Sequence, residues 1–303
     1  MSRITATVDL EKLSAAPSKT ETENAARTHK TIREYLESVQ NLNRYHVDTY
    51  LQGSYKNSTN VRQDSDVDIN SRTAEVYIGE TEKLSQTQRS LYESKTSVGG
   101  FTFQQYRSDV LAALRAKYQT VYDGNKAITI PGNSSRLNAD VLPCVEYRYY
   151  WNYTGRTSDY SKGIAFYSKQ GKLYVNFPDQ HYENLTSKNG NTGGKLKGCV
   201  RIFKRIRNAM VEEGTWRKER SPSYYLECLL WNVPTHIFSD SYEIVVPDVL
   251  KYLYTDLKEK RDGGDLRSYK QANDIYVLFH SEFWNVGDAI DFVSQVWDYI
   301  YRN

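Results

Sequence analysis

Asp66 and Asp68 stand two residues apart in Ser65-Asp66-Val67-Asp68-Ile69. Apolar residues alternate with them, so the stretch reads as a strand with both carboxylates on one face, roughly 6 to 7 Å apart along it. Such a pair suits a hard cation: Mg²⁺ takes oxygen ligands and keeps positions for water and for phosphate oxygens. Upstream, Val47, Thr49 and Leu51 alternate with polar positions and lead into Gln52-Gly53-Ser54. A glycine lets backbone approach a ligand closely, and the N–H groups and hydroxyl that follow can hold phosphate oxygens. Taken singly, Gly-Ser is a common turn and an acidic strand end is commonly solvated. Together they would bring a triphosphate and a metal to one place.

The remaining elements must carry these residues. Ile32, Leu36 and Val39 recur at helical spacing, which predicts one long amphipathic helix from about Leu10 to Leu42 that braces the site. The stretch from Arg72 to Gly100 is polar and irregular and reads as a surface excursion. Tyr106, Val110, Leu114 and Tyr118 mark a helix within 103–121, stopped by Asp123-Gly124-Asn125. Ile128 and Ile130, the turn Pro131-Gly132-Asn133 and Leu137 to Leu142 predict a hairpin whose return strand carries Asp140 and can lie beside the Asp66 strand. A Tyr-rich strand over 147–153 and a hairpin formed by 164–167 and 173–177 complete a helix-backed sheet, with His181 on the loop that follows. From Asn191 the character turns helical. Leu196, Val200, Phe203, Ile206 and Met210 make an apolar stripe, with Lys197, Arg201, Lys204 and Arg205 on a neighbouring face. Ser221 reads as an N-cap with Pro222 at the first helical position, and further helices run to Tyr301, broken at Asp262-Gly263-Gly264. The expected class is α+β, with a sheet domain over 1–160 and a mainly helical one over 161–303.

Composition narrows the function classes. With 303 residues, 39% of them hydrophobic, the chain can bury one large or two modest cores. A net charge of +3 is too small to announce a nucleic-acid coat, so a small anionic ligand is expected rather than an extended nucleic acid. Three widely spaced cysteines form no disulfide framework or zinc pattern, and no signal peptide or membrane span is read, so a cytoplasmic protein is expected. Gly193-Gly194-Lys195 is followed by leucine and there is no Gly-x-Gly-x-x-Gly, which excludes P-loop and Rossmann readings. The five histidines, His29, His46, His181, His236 and His280, stand singly, without metal-ligand spacing.

Gly-Ser, about ten residues, then Asp-x-Asp between Val and Ile is the pattern of the DNA polymerase β-like nucleotidyltransferases. The run from Leu51 to Ile69 resembles more closely the signature of the bacterial cGAS/DncV-like nucleotidyltransferases (CD-NTases), particularly their E clade, CdnE. Ala139-Asp-Val-Leu-Pro-Cys144, Phe177-Pro-Asp-Gln-His-Tyr-Glu-Asn184, Val200-Arg-Ile-Phe-Lys-Arg205 and the block from Ser221 to Pro234 agree in order, so the resemblance spans about residues 50 to 235. It implies a polymerase β-like core, with a mixed sheet backed by helices, a carboxy-terminal helical lobe and a cleft between. It also implies Mg²⁺, with Mn²⁺ as substitute, held by Asp66, Asp68 and a third carboxylate, Asp140. Nucleotide contacts would come from Gln52, Gly53, Ser54, Lys204 and Ser223, with Lys204 and Ser223 on the phosphates and Tyr224 or Tyr225 as base-stacking candidates. The implied activity joins and cyclises nucleoside triphosphates into a cyclic dinucleotide, pyrimidine-containing as E-clade products often are. That product is a second messenger of antiphage defence, read by a downstream effector, and a regulatory protein partner is compatible with the family.

Three rivals stay open on sequence alone. A linear-oligonucleotide or RNA-tailing transferase would leave a free terminal phosphate, and a non-catalytic nucleotide- or RNA-binding scaffold would release no pyrophosphate. An antitoxin-type transferase would label a protein.

Overall fold

The computed structural model describes residues 6–61, 66–279 and 284–301; residues 62–65 of the motif and His280 lie outside them. In chain order the helices and strands are α1 (Leu10–Ser14), α2 (Lys19–Ser38), β1 (Asp48–Leu51), α3 (Gly53–Asn57), β2 (Val67–Glu80), α4 (Gln86–Lys95) and α5 (Phe103–Lys117). There follow β3 (Tyr122–Asp123), β4 (Ile128–Ile130), β5 (Ala139–Tyr153), β6 (Ser158–Tyr167) and β7 (Leu173–Asn176). The last five are α6 (Pro178–Asn191), α7 (Lys195–Glu212), α8 (Ser223–Trp231), α9 (Tyr242–Arg261) and α10 (Val286–Tyr301). They sort into two compact units. One comprises Lys19–Tyr55 and Ser65–Pro178, the other Met1–Ser18, Lys56–Asp64 and Asp179–Asn303.

The first unit is a mixed sheet in the order β1-β2-β5-β4-β3, with β6 also paired to β5 and β7 to β6. β5 organises it. β2 runs parallel along one edge of β5, from Val67↔Ala139 to Glu80↔Tyr149. The other edge is shared: β4 pairs with residues 139–141 and β6 with 145–153. Pro143, which has no N–H to donate, falls in the gap between those two ladders. Ile32 and Leu36 of α2 and Tyr106, Val110 and Leu114 of α5 pack with Val67, Ile69, Ile128, Ile130, Ala139 and Val141 in one core. Both α4 and α5 begin at full capping boxes, Ser85 with Gln88 and Thr102 with Gln105, which satisfy amide groups a helix start leaves unpaired.

The second unit is helical, built round α7, α8, α9 and α10. Its amino-terminal segment is tied in by backbone, Thr7 N donating to Ile300 O at 2.8 Å, and by Leu10, which is buried with the α7 and α8 side chains.

Several boundaries differ from expectation. The helix expected over 10–42 is two, because Pro17 breaks it in the stretch between α1 and α2, and α1 belongs to the helical unit. The division falls after Pro178 rather than at 160, since β6 and β7 stay paired to the sheet. The excursion over 72–100 is instead the second half of a 14-residue β2 and a capped α4. The strands expected over 137–142 and 147–153 are one strand, β5.

Candidate active site

Strand alternation sets the acidic site. Val67 and Ile69 of β2, Ala139 and Val141 of β5, and Ile128 and Ile130 of β4 all point into the core and are fully buried. The residues between them, Asp68, Asp140 and Thr129, therefore share the opposite face and are partly exposed. Asp68 and Asp140 are register partners in the parallel β2–β5 ladder, which puts their carboxylates side by side on neighbouring strands. Thr129 is the partner of Asp140 across the β4–β5 ladder, and its Oγ1 donates to Asp140 Oδ1 at 2.6 Å. Asp66 stands just ahead of β2 and is exposed.

Gln52 extends the β1–β2 pairing by one bond, its N–H donating to Asp68 O at 3.0 Å. This lays Gly53 against the Asp68 side chain. Gly53 adopts φ +68°, and a Cβ built there would lie 2.1 Å from Asp68 Oδ2. Only glycine meets both conditions, the left-handed backbone and the absent side chain. Ser54 follows in the first turn of α3 and is partly buried. The structure thus brings Gln52, Gly53, Asp68 and Asp140 together, with Asp66 at the mouth of the strand. Among the described residues no three acidic, His or Cys side chains close on one point. The arrangement is an open pair of carboxylates, Asp68 and Asp140, whose oxygen donors are of the kind a hard divalent cation takes.

The predicted phosphate lysine sits differently. Lys204 is 0% exposed, and its Nζ donates to Glu227 Oε1 at 2.7 Å and to Thr59 O at 3.2 Å. Glu227 is also buried and accepts from His181 Nε2 at 2.7 Å, Asn57 Nδ2 at 3.1 Å and Thr59 Oγ1 at 2.5 Å. Burial by itself would raise the Glu227 pKa. The Lys204 ammonium and the His181 hydrogen bond more than reverse this and hold the carboxyl well below the usual range. Lys204 is therefore corrected from a phosphate contact to one half of a buried ion pair.

The rest of the expected cationic face is likewise engaged by the chain, with Lys197 and Arg201 buried and Arg205 partly exposed. Arg201 Nε donates to Ser14 O at 2.7 Å, and Arg205 donates to Leu13 O and Ala15 O, so the two guanidinium groups cap the carbonyl end of α1. Lys197 Nζ donates to Thr186 Oγ1 at 3.2 Å, and burial lowers its pKa. His181, expected on a loop, is buried on α6. Ser221 is no N-cap: α8 starts at Ser223 after Pro222, while Ser221 Oγ accepts from Trp216 Nε1 at 2.9 Å. Ser223 is partly exposed and its Oγ accepts from Arg207 Nη1 at 3.3 Å. Of the base-stacking candidates, Tyr225 is fully buried, and Tyr224 stacks on His181 at 4.9 Å between centroids.

The helical unit matches the family model of the cGAS/DncV-like nucleotidyltransferase C-terminal helical domain over residues 183–301. A cyclic dipyrimidine nucleotide synthase CdnE of Legionella pneumophila is 34% identical over 296 residues, covering 96% of this chain and 97% of its own length. The chain belongs to the CdnE-like CD-NTases. This CD-NTase is also 34% identical over 257 residues to a cyclic dipurine nucleotide synthase of Elizabethkingia meningoseptica, which covers 84% of this chain and 85% of that protein. Its fold is similar to the solved Rhodothermus marinus CdnE c-UMP-AMP synthase with Apcpp and Upnpp, with a TM-score of 0.80 at 33% identity over 95% of this chain and 94% of that one. The α+β class and the nucleotidyltransferase family expected from the motifs are therefore those of the CD-NTase.

Two residues of consequence in this CD-NTase escaped the sequence reading. Glu227 carried a signal, a lone carboxylate inside the apolar run from Tyr225 to Trp231, because a charge at a core position must find partners. Thr129 carried none. Its meeting with Asp140 depends on the register set across residues 131–138.

Proposed function

We propose that the chain condenses two nucleoside triphosphates and closes them into a cyclic dinucleotide, releasing two pyrophosphates. In each half-reaction a ribose hydroxyl oxygen bonds to the α-phosphorus of the other nucleotide and the bond from that phosphorus to the bridging oxygen of the β-phosphate breaks. Pyrophosphate leaves and the hydroxyl proton passes to solvent. The observation that carries this is the register pairing of Asp68 with Asp140, with Gly53 packed against Asp68. It agrees with relatives named as cyclic nucleotide synthases over nearly the whole chain.

Asp68 and Asp140, with Asp66, would hold Mg²⁺, and Mn²⁺ could replace it. Bound there, the metal supplies Lewis-acid polarisation of the phosphate and of the attacking hydroxyl. Ser54 and the backbone from Gln52 to Ser54 would bind phosphate oxygens, Gly53 allowing the close approach. The proposed product contains a pyrimidine, as the names of two relatives state for theirs, a cyclic dipyrimidine and a cyclic UMP-AMP. We assign the product to antiphage signalling through an effector that reads it, and the enzyme to the cytoplasm. Among the described residues no helix is long and apolar enough to cross a membrane.

The test is incubation with four labelled triphosphates and Mg²⁺ or Mn²⁺, followed by phosphatase. A phosphatase-resistant, uridine- or cytidine-containing product is expected. A product that loses its label to phosphatase would replace cyclisation with linear synthesis, and no pyrophosphate release under either metal would leave a binding scaffold.

A further inference from the structure

The site contains a polar residue that touches one of its carboxylates and that the proposed chemistry leaves without a task. Thr129 Oγ1 donates to Asp140 Oδ1 at 2.6 Å, shorter than the usual length of about 2.7–2.8 Å for a neutral hydroxyl bond and within the range of a charge-assisted hydroxyl–carboxylate bond. The geometry behind it is rigid. Thr129 and Asp140 are direct partners in an antiparallel ladder, and Ile128 and Ile130 on either side are fully buried, so β4 cannot rotate or slip without moving its core residues. Threonine is also stiff at χ1, which fixes where its hydroxyl lies.

A carboxylate on a partly exposed strand face otherwise samples several rotamers. A donor fixed on one of its oxygens selects one rotamer and leaves the second oxygen to a ligand. We infer that Thr129 is a positioning residue for nucleotidyl transfer: by holding Asp140 Oδ1 it presets the carboxylate for a divalent cation and so sets both cation affinity and turnover. This inference rests on the reading of Asp68 and Asp140 as the metal-holding pair. Partners that orient a metal-ligating carboxylate typically contribute about 10- to 100-fold in affinity or activity.

The experiment compares Thr129→Val, which keeps the branched shape and removes the hydroxyl, with Thr129→Ser, which keeps the hydroxyl. Mn²⁺ binding is read by electron paramagnetic resonance on the protein without nucleotide, and pyrophosphate release is followed over a Mg²⁺ titration. For Thr129→Val, Mn²⁺ affinity and kcat should each fall about 10-fold, with the KM for triphosphate within about twofold and the melting temperature nearly unchanged. Thr129→Ser should restore most of both. Wild-type Mn²⁺ affinity and turnover in folded Thr129→Val would overturn the inference, and so would a failure of Thr129→Ser to restore them. If Thr129→Val does not fold, Thr129→Ala carries the same comparison.

Asp140→Asn separates the two levels. Full turnover in that variant removes the metal-site reading itself, whereas an inactive Asp140→Asn beside a fully active Thr129→Val removes only the role of Thr129. The double variant Thr129→Val/Asp140→Asn should lose no more than Asp140→Asn alone, because the hydroxyl acts only through that carboxylate.

Discussion

Gly53→Ala should cost turnover much more than stability. The new Cβ would lie 2.1 Å from Asp68 Oδ2, 3.0 Å from Cγ and 3.2 Å from the Asp68 Cβ. Restoring ordinary contact at about 3.4 Å means moving the carboxylate oxygen by about 1.3 Å, the difference between those distances. The carboxylate is the mobile end of a side chain, so it yields by rotation and the clash costs position rather than fold. Misplacing a catalytic group by about 1 Å can cost about 10²-fold, close to 3 kcal/mol of barrier. The backbone adds a separate term: alanine at φ +68° costs roughly 1 to 2 kcal/mol, a few degrees of melting temperature. Gly171 provides the control. It adopts φ +78° with nothing within 4 Å of a built Cβ, so Gly171→Ala carries the backbone cost without the clash. Initial rates of pyrophosphate release at saturating triphosphate, with melting curves for both variants, make the comparison. A kcat for Gly53→Ala within about threefold of wild type, or an equal loss in Gly171→Ala, would refute a role for the Gly53–Asp68 contact in catalysis.

Asp140→Asn should leave triphosphate affinity nearly intact while product formation drops on the order of 10²-fold; Asp66→Asn should weaken binding too, measured by calorimetry beside the rate assay. Lys204→Met should destabilise the protein by about 3 to 5 kcal/mol in denaturant melts, because it strands the buried Glu227 charge. A variant of normal stability with a raised triphosphate KM would return Lys204 to the phosphates. Glu227 also predicts an acid limb. Its folded pKa lies below the ordinary 4.5, so its stabilisation is complete above about pH 4.5 and fades as pH falls further toward the folded value. Melting temperature against pH should show that loss in the wild type, and a loss of equal size in Glu227→Gln would assign it to other carboxylates.

The placement of Asp68 and Asp140 on one face of the sheet was legible because strand alternation has a period of two, whatever packs nearby. Once Val67 and Ile69 are core, Asp68 faces away from it, and the same holds for Asp140 between Ala139 and Val141. Partner choice added only the detail that sequence lacks, the register that places Thr129 against Asp140. The cationic half was misread for the complementary reason. An apolar stripe on α7 predicts one buried face, but it cannot say that the neighbouring face is buried as well. What covers that face comes from distant chain: the end of α1, at a separation of 187 residues for Arg201, and Thr59, 145 residues from Lys204. Those contacts turn three surface-like cations into two helix caps and an ion pair. The local sequence held one warning. A glutamate at the centre of α8 needs a buried partner, and α7 is the nearest helix with a cation to give. That the cation is Lys204, and not another of those on α7, is decided by the packing of α7 on α8.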